Sequence, residues 1–281
     1  MKVAVTGASG FLGGHVLAEL ARRGVAVVAT SRGGRPSGDA THAGNARWLA
    51  LDLHAPGPDS YARLGQPDVL LHLAWGGLPH YRSLHHFAAE LPAQYAFLAG
   101  LVEQGLGALC VTGTCFEYGM QSGALAPTLE TRPDNPYGYA KDALRRQLQF
   151  LQATRPFRLA WARLFYLWGE GQAASSLYPL LRQAVARGDA RFPMSGGEQL
   201  RDYLPVAEVA RQLVDLALDP RANRVTNICS GRPVSVRALV ERWIAEHGWA
   251  ITPELGRYPY PDYEPLAFWG VPDAPQDGAP R

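Results

Sequence analysis

The chain has 281 residues, 47% of them hydrophobic, and a formal net charge of +2, which predicts a globular protein and excludes a basic nucleic-acid-binding surface. Its three cysteines (Cys110, Cys115 and Cys229) lack the spacing of a zinc module or a disulfide framework, no apolar run reaches the length of a membrane span, and the N-terminus lacks a signal-peptide pattern. We therefore expect a cytoplasmic protein that has no metal site and binds neither membranes nor nucleic acid.

The first 75 residues alternate between strand and helix patterns. Lys2–Thr6 is a short β-branched run that ends in glycines, and helical spacing of apolar residues follows over Phe11–Arg23. Val25–Thr30 is a continuous apolar run, as expected for a strand that is buried on both faces. Two further strands are predicted at Arg47–Leu51 and Asp68–Ala74.

The alternation continues along the next ninety residues, with helices at Ser83–Glu103 and Tyr137–Ala153 and strands at Leu109–Thr114 and Arg158–Phe165. Strands that alternate with helices imply a doubly wound parallel sheet with right-handed crossovers. We therefore predict a Rossmann-like α/β fold.

After Trp168 the pattern changes, because glycines, prolines and aromatic residues become more frequent. We assign 1–168 to the main domain and 169–281 mainly to a smaller C-terminal lobe. Residues 204–230 contain a helix at Pro205–Leu218 and a strand at Arg224–Cys229, and they are expected to return to the main sheet. The aromatic residues of the tail either stack on a ligand or pack the lobe; they are Tyr258, Tyr260, Tyr263, Phe268 and Trp269.

A glycine-rich turn separates the first strand from the first helix. The residues Thr6–Gly13 read TGxxGxxG. Gly7 permits a tight turn, Gly10 lets a pyrophosphate approach the backbone, and Gly13 lets the helix pack closely on the strand. This position in the chain, between a strand and a helix, predicts a dinucleotide site.

The residues at the end of the second strand indicate which dinucleotide binds. An acidic residue there favours NAD, whereas an arginine accommodates the 2′-phosphate of NADP. The chain has Ser31, Arg32 and Arg35 at this point and no acid before Asp39. We therefore predict NADP(H) rather than NAD; the alternative is that Arg32 is a solvated loop residue. Asp52, just after the third strand, either contacts adenine or caps a turn.

Tyr137 and Lys141 are four residues apart on one predicted helix, so their side chains share a face. The chain has 25 arginines and only two lysines, Lys2 and Lys141, which makes an interior lysine notable. A phenol with an ordinary pKa of about 10 needs stabilisation of its anion to act near pH 7, and we expect the neighbouring ammonium to lower its pKa. Thr114, at the end of a strand, is the candidate hydroxyl for a substrate carbonyl.

Together these motifs closely resemble the extended short-chain dehydrogenase/reductase family, and in particular its nucleotide-sugar branch. The matching segments are Thr6–Gly13, Asp52-Leu53, His72-Leu73-Ala74, Thr114 with Tyr118-Gly119, Pro136–Gly138 with Lys141, and Arg201–Tyr203. The resemblance implies that Tyr137 is the acid/base, that Thr114 binds the carbonyl, and that Lys141 holds the ribose and tunes Tyr137. It also implies that Arg201 binds the diphosphate of a nucleotide-sugar substrate, and that the protein is a homodimer built on its two long helices.

The resemblance implies further contacts at both ends of the site. The predicted cofactor-binding residues are Gly7, Ser9, Gly10, Phe11, Leu12, Gly13, Ser31, Arg32, Arg35, Asp52, Leu53, Leu73, Ala74, Thr112, Tyr137, Lys141 and Phe165. The predicted substrate-binding residues are Trp75, Thr114, Cys115, Tyr166 and Arg201. Thr112 is also compatible with a plain strand-end role, and Cys115 with a buried thiol.

Departures from the family pattern reduce the number of reactions that the resemblance allows. The related 4,6-dehydratases carry an Asp-Glu pair after the threonine, where this chain has Cys115-Phe116, so elimination of water is disfavoured. We predict NADPH-dependent reduction of a nucleotide-linked 4-keto-6-deoxy sugar. A 4-epimerase that retains its NAD(P) and a non-catalytic NADP-sensing regulator are the alternatives, although the Tyr/Lys pair argues against the regulator.

Overall fold

The computed structural model describes residues 1–34 and 46–273. Their strands are β1 (Lys2–Thr6), β2 (Ala26–Ser31), β3 (Arg47–Ala50), β4 (Val69–His72), β5 (Ala108–Thr114), β6 (Gly123–Leu125), β7 (Arg158–Leu164), β8 (Tyr166–Trp168), β9 (Arg191–Pro193), β10 (Leu200–Arg201), β11 (Tyr203–Pro205), β12 (Val225–Ile228), β13 (Val234–Ser235), β14 (Thr252–Glu254) and β15 (Phe268–Gly270). The helices are α1 (Phe11–Arg22), α2 (Ser60–Arg63), α3 (Leu91–Glu103), α4 (Pro136–Thr154), α5 (Leu177–Ala186), α6 (Val206–Leu218) and α7 (Val236–His247).

A seven-stranded parallel sheet forms the centre of the molecule, in the order β12-β7-β5-β4-β1-β2-β3. Val3 of β1 pairs with Val27 of β2 on one side and with Val69 of β4 on the other. The strand order therefore reverses between β1 and β4, and ligands of doubly wound sheets bind at the carboxyl ends of the strands at such a point. This topology confirms the predicted Rossmann-like α/β fold.

Helices cover both faces of the sheet and bury its apolar side chains. On one face α1 and α6 pack through Val16, Leu17, Leu20, Leu213 and Val214. On the other face α3 and α4 pack through Phe97, Leu98, Leu101, Leu144 and Leu148. Because both faces are covered, the central strands are mainly apolar, as the run in β2 indicates.

A separate apolar cluster lies in the C-terminal part of the chain. It joins α5, α7 and the β9–β14 pair through Tyr178, Leu181, Phe192, Trp243 and Ile251. Helix α6 and strand β12 instead belong to the main sheet layers. A small cluster that includes Cys115, Phe165 and Phe268 connects the two parts, and β15 pairs with β6 beside it.

The first of the two long predicted helices starts differently in the structure. The helix expected at Ser83–Glu103 begins with a π-helical turn over His86–Glu90, and the regular helix α3 starts only at Leu91. Pro92 lies in the first turn of α3, where the missing N–H is not needed.

Within the described residues, no helix is both long and apolar enough to cross a membrane.

Candidate active site

The glycine turn brings β1, α1 and the loop after β4 into close contact. Gly7 has a φ of +68°, and a Cβ added there would lie 2.8 Å from the backbone nitrogen of Ala74. A Cβ at Gly13 would lie 2.3 Å from the carbonyl oxygen of Gly7. Any side chain at either position would push the helix or the loop away from the turn. The turn therefore requires glycine for steric reasons at these two positions.

A cavity of about 650 Å³ opens at this turn and has the composition of a dinucleotide site. Nine of the predicted cofactor residues line it: Gly7, Ser9, Gly10, Ser31, Arg32, Asp52, Leu53, Leu73 and Ala74. Arg32 is exposed at this lining, and the hydroxyl of Ser31 donates to the Gly34 carbonyl. Arg35 lies outside the described residues. Close backbone packing, N–H groups at the start of α1 and an arginine at the end of β2 fit a nicotinamide dinucleotide.

Other predicted cofactor residues are placed behind this lining. The Thr112 hydroxyl donates to the His72 carbonyl at 3.2 Å, which is the strand-end role that the sequence also allowed. Phe165 is buried beside Phe268, with ring centroids 6.3 Å apart, in the cluster that contains Cys115. Phe11, Leu12 and Gly13 lie in α1. Asp52 accepts a hydrogen bond from the backbone N–H of His54 at 3.0 Å, so it caps a turn as well as lining the cavity.

Helix α4 carries Tyr137 and Lys141 into the interior. Its first turn is capped by Asn135, whose side-chain oxygen accepts from the Gly138 N–H at 2.9 Å. One turn later, the ammonium of Lys141 is buried and donates to the carbonyl oxygen of Thr112 on β5 at 2.8 Å. The helix thus fixes both side chains against the carboxyl end of the sheet.

Tyr137 lies in the wall between two cavities. Its ring centroid is 6.1 Å from that of Trp75, which lines the cavity at the glycine turn. It is 5.6 Å from the Tyr81 ring and 6.3 Å from the Phe116 ring, and both of these side chains line a second cavity of about 790 Å³. Tyr137 itself is buried behind these lining side chains and lies close to both cavities, as transfer between a cofactor and a substrate requires.

The direction of the Tyr137 pKa corrects the expectation from the sequence. Burial raises the pKa of Tyr137 above its ordinary value, and the neighbouring Tyr81 and Cys115 raise it further, whereas hydrogen bonding by Thr114 lowers it. The same burial lowers the pKa of Lys141 to about 7, although the carboxylates of Glu117 and Glu90 oppose this. The phenol is therefore held as a neutral O–H, the form that donates a proton.

Thr114 is positioned by a buried network around Glu117. One carboxylate oxygen of Glu117 accepts from the Thr114 N–H at 3.0 Å and from the Trp161 indole N–H at 2.9 Å. The other oxygen accepts from the Arg163 guanidinium at 2.7 Å. The Thr114 hydroxyl oxygen accepts from the Phe116 N–H at 3.3 Å, and the same hydroxyl hydrogen-bonds to Tyr137.

The predicted substrate residues are divided among several environments. Tyr166 lines both the 790 Å³ cavity and a third cavity of about 510 Å³, and Arg201 lines the third. Trp75 instead lines the cavity at the glycine turn, and Cys115 is a buried thiol whose pKa burial raises to about 12. Of the aromatic tail, Tyr258 and Tyr263 line the third cavity, whereas Phe268 packs in the interior.

Arg201 already has protein partners. Its guanidinium pairs with the carboxylate of Glu264 at 2.8 Å and donates to the carbonyls of Leu200 and Leu266, each at 2.9 Å. The Tyr166 hydroxyl also donates to Glu264. A substrate diphosphate must therefore compete with a carboxylate for this arginine.

Sequence reasoning missed Glu264 and a second cluster, at the rim of the cavity at the glycine turn. Glu90 is buried there, and one of its carboxylate oxygens lies 3.2 Å from Nε2 of His54 and 3.2 Å from Nε2 of His85. A glutamate at the start of an apolar helical run is the only signal that points to Glu90. For Glu264, in a proline-rich tail, the sequence contains no such signal.

The profile of the NAD dependent epimerase/dehydratase family matches residues 3–229. The chain belongs to this family. The resemblance inferred from the motifs is thereby confirmed, and so is the expected class, an NAD(P)-dependent oxidoreductase or epimerase.

Curated relatives and solved structures extend this result. A dTDP-6-deoxy-L-talose 4-dehydrogenase (NAD(+)) from Aggregatibacter actinomycetemcomitans is 30% identical over 275 residues, which cover 96% of this chain and all of the relative. A dTDP-6-deoxy-L-talose 4-dehydrogenase (NAD(P)(+)) from Kitasatospora kifunensis is 26% identical over 93% of this chain and 83% of its own. MoeE5 in complex with UDP-glucuronic acid and NAD superposes with a TM-score of 0.80 at 29% identity, over 96% of this chain and 90% of MoeE5.

Gly13 and Gly14, in the first turn of α1, differ in the space around them, and this difference tests the assignment of the cofactor cavity. Gly13→Ala places a Cβ against the Gly7 carbonyl, whereas nothing lies within 4 Å of a Cβ at Gly14. We expect Gly13→Ala to weaken NAD(P)H binding by at least about tenfold, because the helix must move off the turn. Gly14→Ala, the matched control, should bind like the wild type. Fluorescence titration with NADPH and NADH measures both, and equal affinities for the two variants would contradict the assignment.

Proposed function

We propose that the protein reduces the C4 carbonyl of a nucleotide-linked 4-keto-6-deoxy sugar, with NADPH as hydride source. The observation that carries this proposal is the position of Tyr137, which is buried in the wall between the dinucleotide cavity and the second cavity and interacts with Thr114. The relatives from Aggregatibacter and Kitasatospora, whose names place their chemistry at C4 of a 6-deoxy sugar, support the same reaction.

The chain's own residues account for proton transfer and orientation. The dinucleotide, when bound, supplies hydride to the carbonyl carbon. Thr114 turns its hydroxyl proton from Tyr137 to the carbonyl oxygen when the substrate binds, and Tyr137 transfers its phenolic proton to that oxygen as negative charge develops. Lys141 holds a ribose hydroxyl and stabilises the phenolate that remains. Burial raises the pKa of Tyr137, so the phenol is protonated at neutral pH, and proton transfer depends on the stabilisation of the phenolate by Lys141.

The cofactor choice rests on Arg32. The side chain is exposed at the cavity lining beside Ser31, where a 2′-phosphate on the adenosine ribose would meet it. The names of the two relatives include both NAD(+) and NAD(P)(+), so the family accommodates either dinucleotide. We infer a preference for NADP(H) from this arginine and from the hydroxyl next to it.

The substrate nucleotide is assigned to the third cavity. Its lining combines apolar side chains such as Phe192 and Met194 with the rings of Tyr258 and Tyr263 and with Arg201. Aromatic and apolar walls suit a base, and the arginine suits a diphosphate. The name of the relative that is 30% identical makes a dTDP-sugar the first candidate.

Replacement of the phenol tests the reaction itself. We expect Tyr137→Phe to lower kcat for reduction of a dTDP-4-keto-6-deoxy sugar by about 10²-fold or more, because the proton donor is lost, while NADPH binding persists. Tyr139→Phe is the matched control, since Tyr139 is on the same helix but more than half exposed. Loss of absorbance at 340 nm follows turnover. More than a tenth of wild-type activity in Tyr137→Phe would contradict the assignment, and C4 epimerisation without net consumption of NADPH would favour an epimerase.

The arginine at the end of β2 tests the cofactor. We expect Arg32→Ala to weaken NADPH binding by about fivefold, because an exposed ion pair with a phosphate is worth about 1 kcal/mol, and to leave NADH binding unchanged. Arg155→Ala, an exposed arginine at the end of α4, serves as the control. The ratio of the two dissociation constants is the readout, and an unchanged ratio would leave the preference for NADP(H) without support.

The partner of Arg201 tests the substrate end. We expect Glu264→Gln to bind dTDP about three- to tenfold more tightly, since it removes about 1 kcal/mol of repulsion between a carboxylate and the diphosphate. Asp262→Asn removes a charge from the same segment, where Asp262 is exposed and pairs with Arg82. Isothermal titration calorimetry compares the two. Weaker binding by Glu264→Gln would mean that the carboxylate helps to hold the nucleotide instead of competing with it.

A further inference from the structure

The ammonium of Lys141 lies over an aromatic ring. Its Nζ is 4.1 Å from the centroid of the Trp75 ring, well inside the range of cation–π attraction. The same nitrogen donates to the Thr112 carbonyl at 2.8 Å. The ammonium is thus held from two directions, by a strand of the sheet and by the loop that follows β4.

The indole itself is fixed by a second hydrogen bond. The Trp75 indole N–H donates to Nδ1 of His86 at 3.1 Å. Nε2 of His86 lies 3.0 Å from the His80 carbonyl, and a carbonyl can only accept, so Nε2 carries the proton and Nδ1 is free to accept. His86 is fully buried in the π-helical turn that precedes α3. A chain of two hydrogen bonds therefore sets the plane of the indole ring.

We propose that Trp75, held by His86, is a positioning residue that keeps the Lys141 side chain protonated and aimed at the cofactor ribose. Trp75 was expected from the sequence to bind substrate, but its ring faces the lysine and lines the dinucleotide cavity. The role rests on the proposed function only in its last step, the contact with a ribose. The contact between the ammonium and the ring is a property of the chain alone.

The physical need for such a ring follows from the burial of the lysine. Burial lowers the pKa of Lys141 to about 7, so a neutral amine competes with the ammonium at physiological pH. Among the described residues, the charged and titratable groups that act with Lys141 are Glu90, Glu117, His72 and His86. The ammonium lowers the pKa of both histidines, and Glu117 is already engaged by Arg163. An aromatic face stabilises the cation without adding a group that itself titrates.

The lysine content of the chain makes a direct measurement possible. Lys2 and Lys141 are the two lysines, and Lys2 is exposed at the start of β1. In cofactor-free protein with lysine labelled by ¹³C at Cε, a proton–carbon correlation spectrum contains one signal from each. We expect the ε-protons of Lys141 to be shifted upfield relative to those of Lys2 by the ring current of Trp75. Equal shifts for the two lysines would overturn the proposal in the wild-type protein alone.

Titration of the same signals tests the energetic role. Trp75→Leu should move the titration midpoint of Lys141 down by about one pH unit, the size of a desolvated cation–π contact. Trp75→Phe keeps a weaker ring and should give a smaller shift, and His86→Leu, which frees the indole, should shift the midpoint in the same direction. Trp249→Leu is the control, since Trp249 stacks on His247 in a different cluster. An upward or absent shift in Trp75→Leu would mean that the ring only excludes water.

Turnover gives a second readout that separates positioning from stability. We expect Trp75→Leu to lower kcat for the proposed reduction at pH 7 by about fivefold, because a downward shift of one pH unit from about 7 reduces the protonated fraction of Lys141 by about that factor, with KM for the sugar nucleotide within about twofold of wild type. An equal loss in kcat for Trp249→Leu would indicate general destabilisation. If the substrate assignment is wrong, turnover fails for every variant, whereas the lysine titration still decides the role of Trp75.

Discussion

Burial of a single ammonium group is the constraint on which the arrangement of the site depends. Lys141 reaches the carboxyl end of the sheet from α4, and a charge at that depth is unstable unless neighbouring groups satisfy it. The Thr112 carbonyl on β5 and the Trp75 ring after β4 do so, which ties two strand ends to one helix. Tyr137 lies one turn before the lysine on this helix. Its place between the two cavities therefore follows from the same contacts.

The parts of the fold and the site that could be predicted from the sequence depend on local geometry. Apolar periodicity predicted the strands and helices of the sheet layers, and glycine spacing predicted the turn. Both signals lie within a few neighbouring residues of the chain. The spacing of four between Tyr137 and Lys141 placed both on one face of α4 in the same way. Contacts between segments that are distant in the chain could not be predicted from the sequence. The pairs Trp75–Lys141 and Arg201–Glu264 are more than sixty residues apart in the chain.

The direction of the Tyr137 pKa shift shows why a sequence motif alone does not predict how readily the residues of a site ionise. A lysine four residues away suggests a stabilised phenolate, but the sequence does not contain the depth of burial. In the structure, loss of solvation dominates for both groups, so the phenol is harder to ionise and the ammonium is easier to deprotonate. The pair is thereby poised as a neutral acid beside a lysine that titrates near neutrality. The phenol is therefore protonated at neutral pH, and its ionisation depends on the charge of the lysine beside it.

Arg201, in the proposed substrate site, already has partners within the protein. These partners affect which ligands the site selects. Arg201 is engaged by Glu264 and by two backbone carbonyls, so a diphosphate gains only the difference between its own contacts and those that it replaces. Ligands that do not also fill the apolar and aromatic lining of the third cavity gain too little to displace the carboxylate. In the nucleotide site that we propose here, free phosphate or a short diphosphate would therefore bind poorly, whereas a base and its diphosphate together would bind. A site with an unpaired arginine would accept any anion. In the proposed site a ligand must instead replace Glu264 at Arg201, and this exchange selects among ligands.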